Sequence, residues 1–257
     1  MKGSRSITLK FFSFVLLITW MFSPRHVLSG VSEDDIKCLK GIKNSVKDPD
    51  GKLSKWSFNN NSAGFICNFP GVSCWKETEN GLLSLQLRDM KLSGKLPQSL
   101  QYCRSLQTLD LSANMLSGTI PTQICSWLPY LVTLDLSSND LSGSIPSELA
   151  NCVYLNNLIL SNNRLSGPVP EQLSFLLRLK RFSVANNDLS GTIPLYFESF
   201  SEADFDGNSG LCGRPLGRCG GLSRKSLAII IAAGVSGAVF SVLLGFGCLW
   251  CNGRKAK

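Results

Sequence analysis

Apolar and polar residues alternate in short phrases that recur through the middle of the chain. The phrase LDLSSNDLSGSIP (134–146) has near copies at 85–97, 109–121, 158–170 and 182–194. Its glycine returns at intervals of 24, 25, 24 and 24 residues, at Gly94, Gly118, Gly143, Gly167 and Gly191. Alternation over LVTLDL (131–136) predicts a short β-strand with one buried face. A nearly constant period of this length predicts a solenoid, because no unit could bury its leucines alone.

Polar and small residues at fixed places indicate how each unit closes. An asparagine follows the strand in four of the units, at Asn114, Asn139, Asn163 and Asn187. We expect its amide to bond backbone groups of its own turn and of the neighbouring unit, which would otherwise be buried without partners. The glycine of each LSG suits a backbone with positive φ, and the proline that follows begins a return segment without needing a hydrogen-bond donor.

The two ends of the chain contain apolar runs of different length. Residues 1–29 combine a basic start with the short run FFSFVLLITWMF (11–22), which is typical of a secretory signal peptide; a retained signal anchor is the alternative. The uncharged run at 227–250 is long enough to cross a bilayer, and we place a transmembrane helix at 227–251. A juxtamembrane segment (222–226) precedes it and a short cytoplasmic tail (252–257) follows. These features predict a single-pass type I protein of the plasma membrane with its repeats outside the cell.

Segments on both sides of the repeats are predicted to cap the solenoid. In the N-terminal cap (30–81), Ile36, Leu39, Ile42 and Val46 share one face of a predicted helix that ends at Asp48-Pro49. The five repeats then occupy 82–202, and the C-terminal cap occupies 203–221.

Cysteines in the two caps are spaced in the same way. Cys67 and Cys74 form one C-x6-C pair, and Cys212 and Cys219 form the other. In a secreted chain such pairs indicate disulfides, and the lack of histidine after His26 argues against the alternative of zinc. Three further cysteines occupy places in the repeats where a buried residue is usual, and we interpret them as core thiols: Cys103, Cys125 and Cys152. The pairing of Cys38, Cys103, Cys125 and Cys152 is left open.

Three other positions are candidates for modification. Asn60 begins the sequon Asn60-Asn61-Ser62 in a polar loop, which predicts glycosylation. Cys248 and Cys251 lie at the cytoplasmic edge of the predicted membrane span, where palmitoylation and plain thiols are both open interpretations.

The charge balance argues against a nucleic-acid partner. The chain has 26 basic and 18 acidic residues, but nine of the basic ones flank the two apolar runs, so residues 30–223 contain 17 basic against 18 acidic residues. The absence of histidine from the predicted mature chain excludes Ser-His-Asp and Cys-His catalysis, and no phosphate-binding or kinase motif is present. We therefore expect no catalytic residue, no cofactor and no metal site.

The repeat unit LxxLxLxxNxLSGxIPxxLxxLxx is similar to the plant extracellular type of leucine-rich repeat. The stretches EDDIKCLKGIKNSVKDP, GFICNFPGVSCW and GLCGRPLGRCGGLS resemble more narrowly the plant leucine-rich-repeat receptor kinases with short ectodomains. Within that family they look like the inactive members that bind and restrain co-receptor kinases of the somatic-embryogenesis type. The resemblance covers roughly residues 33–247 and implies a leucine-rich-repeat solenoid with disulfide caps. Members of that family continue into a cytoplasmic kinase-like domain, whereas this sequence ends at Lys257. We therefore expect a truncated product, a splice form or a kinase-less relative.

Side chains between the buried leucines are predicted to form a docking strip on the concave face. The strip's charged and apolar members are Arg88, Asp110, Asp135, Ile159 and Arg181. Our hypothesis is that the strip binds the ectodomain of a receptor or co-receptor kinase, and that the chain is a negative regulator or a kinase-less decoy in immune or hormone signalling. Three alternatives stay open: a direct sensor of a peptide or small molecule, an inhibitor of secreted cell-wall-degrading enzymes, and a remnant transcript with no retained role.

Overall fold

The computed structural model describes residues 33–60, 62, 64–76 and 81–220. The predicted signal peptide, membrane span, cytoplasmic tail and lipidation sites Cys248 and Cys251 lie outside these ranges. Within the described residues, no helix has the length and apolar character needed to cross a bilayer. This part of the chain is a stack of five repeats with a cap at each end.

Twelve short strands make up the sheets of the described chain. In chain order they are β1 (Val72–Cys74), β2 (Leu82–Gln86), β3 (Ser93–Gly94), β4 (Thr108–Asp110), β5 (Met115–Gly118), β6 (Thr133–Asp135), β7 (Asp140–Ser144), β8 (Asn157–Ile159), β9 (Arg164–Gly167), β10 (Arg181–Ser183), β11 (Asp188–Thr192) and β12 (Gly210–Cys212). The first sheet has the order β1-β2-β4-β6-β8-β10, and the second has the order β12-β11-β9-β7-β5-β3. All neighbours are parallel except β1, which pairs antiparallel with β2. Each repeat therefore adds one strand to each sheet, as stacking requires.

Return segments connect the second sheet to the next strand of the first. Four repeats return through a 3₁₀ turn, at Gln98–Tyr102, Ser147–Asn151, Glu171–Phe175 and Leu195–Ser199. The repeat between Gly118 and Gly143 is one residue longer than the others, and it returns through a short α-helix at Ile124–Trp127. We number this helix α2, because the cap helix α1 (Glu33–Ser45) precedes it in the chain. The glycine of every LSG phrase has a positive φ, as the sequence predicts.

Leucine side chains and asparagine amides together form the core. The strand leucines Leu109, Leu134 and Leu158 align across β4, β6 and β8 and are fully buried. Beside them, the Asn139 Nδ2 donates to Leu111 O at 3.0 Å and Leu136 O at 3.1 Å, and its Oδ1 accepts from Leu116 N at 2.9 Å. Equivalent bonds surround the other predicted asparagines, so the prediction of an asparagine ladder is confirmed.

The ladder continues into the C-terminal cap, beyond the last asparagine that the repeat pattern predicts. Asn208 donates to Val184 O at 3.0 Å and accepts from Leu189 N at 3.1 Å, although the cap has no leucine pattern of its own. Phenylalanine rings replace the leucines there: Phe182 stacks on Phe197 with 4.5 Å between ring centroids, and Phe205 packs 5.7 Å from Phe182.

In the N-terminal cap, α1 packs against the first repeat. Leu39 and Ile42 are buried and Ile36 is partly buried, in agreement with the predicted apolar face. The helix ends at Ser45, and the Asp48 carboxylate accepts from the backbone N–H groups of Lys52 and Leu53 in the turn that follows. Asp35 is buried and accepts from Leu82 N at 2.9 Å, so a carboxylate on the helix is bonded to the first strand of the repeats.

Four disulfides join the cysteines of the described chain. Two are the pairs expected from the C-x6-C spacing, Cys67–Cys74 and Cys212–Cys219. The interpretation of Cys103, Cys125 and Cys152 as core thiols is wrong: Cys103 is bonded to Cys38, and Cys125 is bonded to Cys152. All three are buried as expected, but the folded chain brings these pairs together across 65 and 27 positions of sequence.

Candidate functional site

The outward side chains of the first sheet lie in rows that cross the repeats. Strand register places Asp110 beside Asp135 and Asp135 beside Ile159, so these three predicted docking residues are neighbours on consecutive strands. Arg181 aligns instead with Asn157, in the adjacent row, and Arg88 lies two residues beyond the end of β2. Ile159, which the strand pattern predicts to be exposed, is half-buried. The structure thus brings together three of the five residues and places the two arginines at the margins.

The two aspartates of this row also have a structural role. Asp110 Oδ1 accepts from Ser112 N at 2.9 Å and from Ser112 Oγ at 2.6 Å. Asp135 makes the same pair of bonds to Ser137, at 3.0 and 2.6 Å. Each carboxylate therefore stabilises the turn that follows its strand. A partner would meet two fixed carboxylates rather than two free side chains.

A second surface lies just before the strands of the first sheet, and the alternation within the strands does not predict it. Its members, which we call the edge patch, are Tyr130, Val153, Tyr154, Leu177 and Arg178. The first four are large side chains that remain exposed to 54%, 59%, 40% and 83% respectively. Exposed apolar residues are ordinary when scattered, but a contiguous group on a folded surface marks a site of interaction.

The edge patch is ordered by contacts between its own side chains. The rings of Tyr130 and Tyr154 lie 6.1 Å apart between centroids, and the Arg178 guanidinium lies 5.4 Å from the centre of the Tyr154 ring. The three residues follow one another at intervals of 24 positions and each stands three residues before its strand, so they occupy the same place in successive repeats. Stacking of the repeats therefore turns one sequence position into a ladder of two aromatic rings and a cation.

The chain contains a signal for this ladder in the segments LPYL, CVYL and LLRL. The third residue of each segment, which is Tyr130, Tyr154 or Arg178, points outward. It lies between two buried leucines, or in CVYL between a buried cysteine and a buried leucine. The equivalent residue of the first repeat is Ser105. Ser105 donates instead to Leu82 O at 2.8 Å, so the ladder begins only at the second return segment. Comparing the repeats position by position, rather than within the strands alone, would have shown two tyrosines where a solvated residue is expected.

A groove of about 890 Å³ lies where the second sheet meets the return turns. Its wall contains Thr119, Ser144, Pro168 and Thr192, which occupy one position in four successive repeats. The groove is open and lined by hydroxyl groups, prolines and the side chains of Glu148 and Glu171. Its lining contains no exposed aromatic side chain comparable to those of the edge patch.

The remaining predicted sites can be placed only in part. Asn60 is exposed and its Oδ1 accepts from Ser62 N at 2.9 Å, while Asn61 of the same sequon lies outside the described residues. In the part of the chain that the structure describes, no group of three or more His, Cys, Asp or Glu side chains could hold a metal ion.

Comparison with protein families matches two kinds of unit. The Leucine rich repeat N-terminal domain matches residues 32–75, and the Leucine Rich Repeat matches residues 105–127, 130–152 and 154–176. The first match contains α1 and the Cys67–Cys74 disulfide of the N-terminal cap. The other matches contain most of the return segments that lead to the edge-patch residues.

Similar proteins come from Arabidopsis thaliana. The chain is 69% identical over 221 residues to the inactive LRR receptor-like serine/threonine-protein kinase BIR2, an alignment that covers 85% of this chain and 36% of BIR2. The crystal structure of the BIR2 ectodomain matches with 62% identity and a TM-score of 0.71, over 71% of this chain and 96% of that one. A chain of the crystal structure of the BIR3 - SERK2 complex matches with 62% identity and a TM-score of 0.71, over 73% of this chain and all of that one (100%). The chain thus spans about a third of the length of BIR2 (36%) and nearly all of the ectodomains.

Proposed function

Because the chain belongs to the family of leucine-rich-repeat receptor-like kinases, alongside members that are named inactive, we propose that its repeats bind the ectodomain of a SERK-type co-receptor kinase. The similarity to a chain of the BIR3 - SERK2 complex supports this class of partner. Catalysis has no part in the proposal, since the interaction requires only a rigid extracellular surface. The predicted signal peptide and membrane span support a single-pass type I protein of the plasma membrane that presents its repeats outside the cell.

The observation that supports this function best is the edge patch. Tyrosine and arginine are among the residue types that dominate binding energy at protein interfaces, and a ring has little side-chain entropy to lose when it docks. In this chain the two rings and the guanidinium are already in contact with one another, so little reorganisation is needed on binding. We place the centre of the docking surface at Tyr154, which contacts both of the others.

The first-sheet residues would then flank this centre. Asp135 ends β6 and Ile159 ends β8, whereas Tyr130 and Tyr154 stand three residues before those strands begin. Since β6 and β8 are parallel neighbours, Asp135 and Ile159 lie side by side at the far ends of the strands that the two rings precede. The docking surface that we propose therefore runs from the edge patch onto the first sheet, with Asp135 and Ile159 at its margin.

The test of this proposal is direct binding of the SERK2 ectodomain of Arabidopsis thaliana to the full-length chain in detergent. We expect Tyr154→Ala combined with Arg178→Ala to weaken binding about thirtyfold, the effect of losing one interface hot spot. Met115→Ala removes an exposed apolar side chain from the second sheet and should leave the affinity unchanged. Wild-type protein that does not bind SERK2 would refute the proposed function.

A second variant separates the edge patch from the first sheet. Asp135→Lys with Ile159→Asp changes the predicted docking strip but leaves both tyrosines in place. If this variant loses more affinity than the variant of Tyr154 and Arg178, the centre of docking lies on the first sheet instead.

We further propose that the bound chain restrains its partner, as a negative regulator or decoy in immune or hormone signalling. Occupying the co-receptor ectodomain would be sufficient for this role, because a partner held at one surface is not free to join a ligand-bound receptor. Expression of the full-length chain in plant cells should then reduce ligand-induced association of the co-receptor with its receptor. The variant of Tyr154 and Arg178 should not do so, and equal inhibition by both proteins would contradict the proposal.

A further inference from the structure

The bond between Cys125 and Cys152 joins two consecutive repeats on the side of the molecule that holds the edge patch. Cys125 lies in α2, five residues before Tyr130, and Cys152 lies two residues before Tyr154. The two cysteines are exposed to only 4% and 0%, so the disulfide belongs to the core. Each tyrosine of the ladder is thus only a few residues from one end of the same covalent bond.

The two return segments that the disulfide joins have few other fixed links between them. Strands β6 and β8 are held in register by their ladder, and Asn156 N donates to Val132 O at 2.8 Å at the start of that ladder. Before this point, no backbone hydrogen bond of the described chain joins residues 121–131 to residues 146–155. The distance between Tyr130 and Tyr154 therefore depends on the β6–β8 ladder that follows them, on side-chain packing and on the disulfide.

The first of these segments is also the longer one. The repeat from Gly118 to Gly143 has one residue more than its neighbours, and this residue is accommodated where α2 replaces a 3₁₀ turn. A longer segment between the same two sheets has more conformations to lose when it is ordered. The disulfide at Cys125 in α2 therefore limits the conformational freedom of the longest return segment.

We infer that Cys125 and Cys152 are positioning residues that hold Tyr130 and Tyr154 in the arrangement that binds the partner. The inference rests on the proposed function, because it assigns the disulfide a role in the affinity of the edge patch. Preorganised side chains bind more tightly because less freedom is lost on association. Cys38–Cys103 differs in this respect, since Cys103 stands two residues before Ser105, where the ladder has no ring.

The experiment replaces the disulfide by the residues that neighbouring repeats use. Cys125→Ala matches Ala150, and Cys152→Leu matches Leu176, at the equivalent places of other return segments. In the full-length chain we expect this double variant to remain folded and to bind the SERK2 ectodomain roughly three- to tenfold more weakly, the size of effect that one aromatic pair contact provides. If the double variant does not fold, Cys125→Val with Cys152→Val fills the same space with a different apolar pair.

A merely structural disulfide is distinguished by two comparisons. Cys38→Ala with Cys103→Leu removes the other inter-segment bond and should lower the thermal midpoint of unfolding without changing SERK2 affinity. In a background that carries both Tyr130→Ala and Tyr154→Ala, loss of Cys125–Cys152 should cause no further loss of affinity, because both rings that it positions are gone. Unchanged affinity of the Cys125 and Cys152 variant, while wild-type protein binds, would overturn the inference and leave the proposed function intact.

A measurement without the partner tests whether the disulfide restrains the two return segments, which the inference requires. Hydrogen exchange should become faster at the amides of Leu128, Tyr130 and Leu131 and at those of 152–155 in the variant, while the amides of β6 and β8 keep their protection. Unchanged exchange in both return segments would show that the disulfide does not restrict them.

Discussion

At the residue scale, the turn after the first-sheet strand of each repeat holds a side chain in an uncommon backbone conformation. Ala113, Ser138, Asn162 and Asn186 all have φ between 54° and 57°, a left-handed value that alanine adopts at a cost and asparagine adopts more readily. We expect Ala113→Asn to raise the free energy of unfolding by up to about 1 kcal/mol. Urea unfolding measures the change, and Ala150→Asn, outside the left-handed region, should give no gain. A loss of stability in Ala113→Asn would contradict this explanation.

Two polar residues show what the sequence can and cannot predict at this scale. The role of Asn139 could be predicted, because an amide at a fixed place after a strand has backbone groups to satisfy. The role of Asp135 could not, because its bonds to Ser137 depend on the turn geometry rather than on the charge. In the sequence, a charged residue between leucines resembles a free side chain even when it is bonded to its own turn.

At the scale of elements, the C-terminal cap depends on a cluster of aromatic rings. Phe205 is fully buried and packs against Phe182 and Phe197 at the end of the last repeat. We expect Phe205→Ala to reduce the free energy of unfolding by about 3–5 kcal/mol, since it leaves a cavity where the solenoid would otherwise expose its core. Denaturant unfolding measures the loss, and Leu195→Ala, at an exposed side chain, serves as the control. Equal effects of the two substitutions would contradict the capping role.

The repeats could be predicted from periodicity and the disulfides Cys67–Cys74 and Cys212–Cys219 from cysteine spacing, but the two disulfides between distant positions could not. The predicted apolar face of α1 and its end before Asp48 agree with the structure, because both follow from helical spacing and a proline. Cys103 and Cys152 occupy a leucine position, which makes them resemble ordinary core residues. Their partners Cys38 and Cys125 are brought near only when α1 docks on the first repeat and when α2 forms.

At the scale of the whole molecule, the nearly equal numbers of basic and acidic residues in 30–223 bear on how a partner is recognised. If the apolar edge patch dominates docking, screening by salt should have little effect on affinity. We expect the dissociation constant for the SERK2 ectodomain to change by less than about threefold between roughly 50 and 300 mM NaCl. A steep weakening with salt would instead assign the binding to Arg88, Asp110, Asp135 and Arg181.

The direction of the asparagine ladder limits how such a molecule can change in length. Each amide completes the turn of the repeat before it, so Asn208 in the C-terminal cap completes the last one. When a whole repeat is inserted or deleted in the interior, every turn is still followed by a repeat whose asparagine can bond to it. Removing the segment around Asn208 would leave the Leu189 N–H without its amide partner, whereas the Val184 carbonyl would keep its bond from Asn187 Nδ2 at 2.9 Å. We therefore expect a repeat to be gained or lost more readily in the middle of the stack than the segment that contains Asn208.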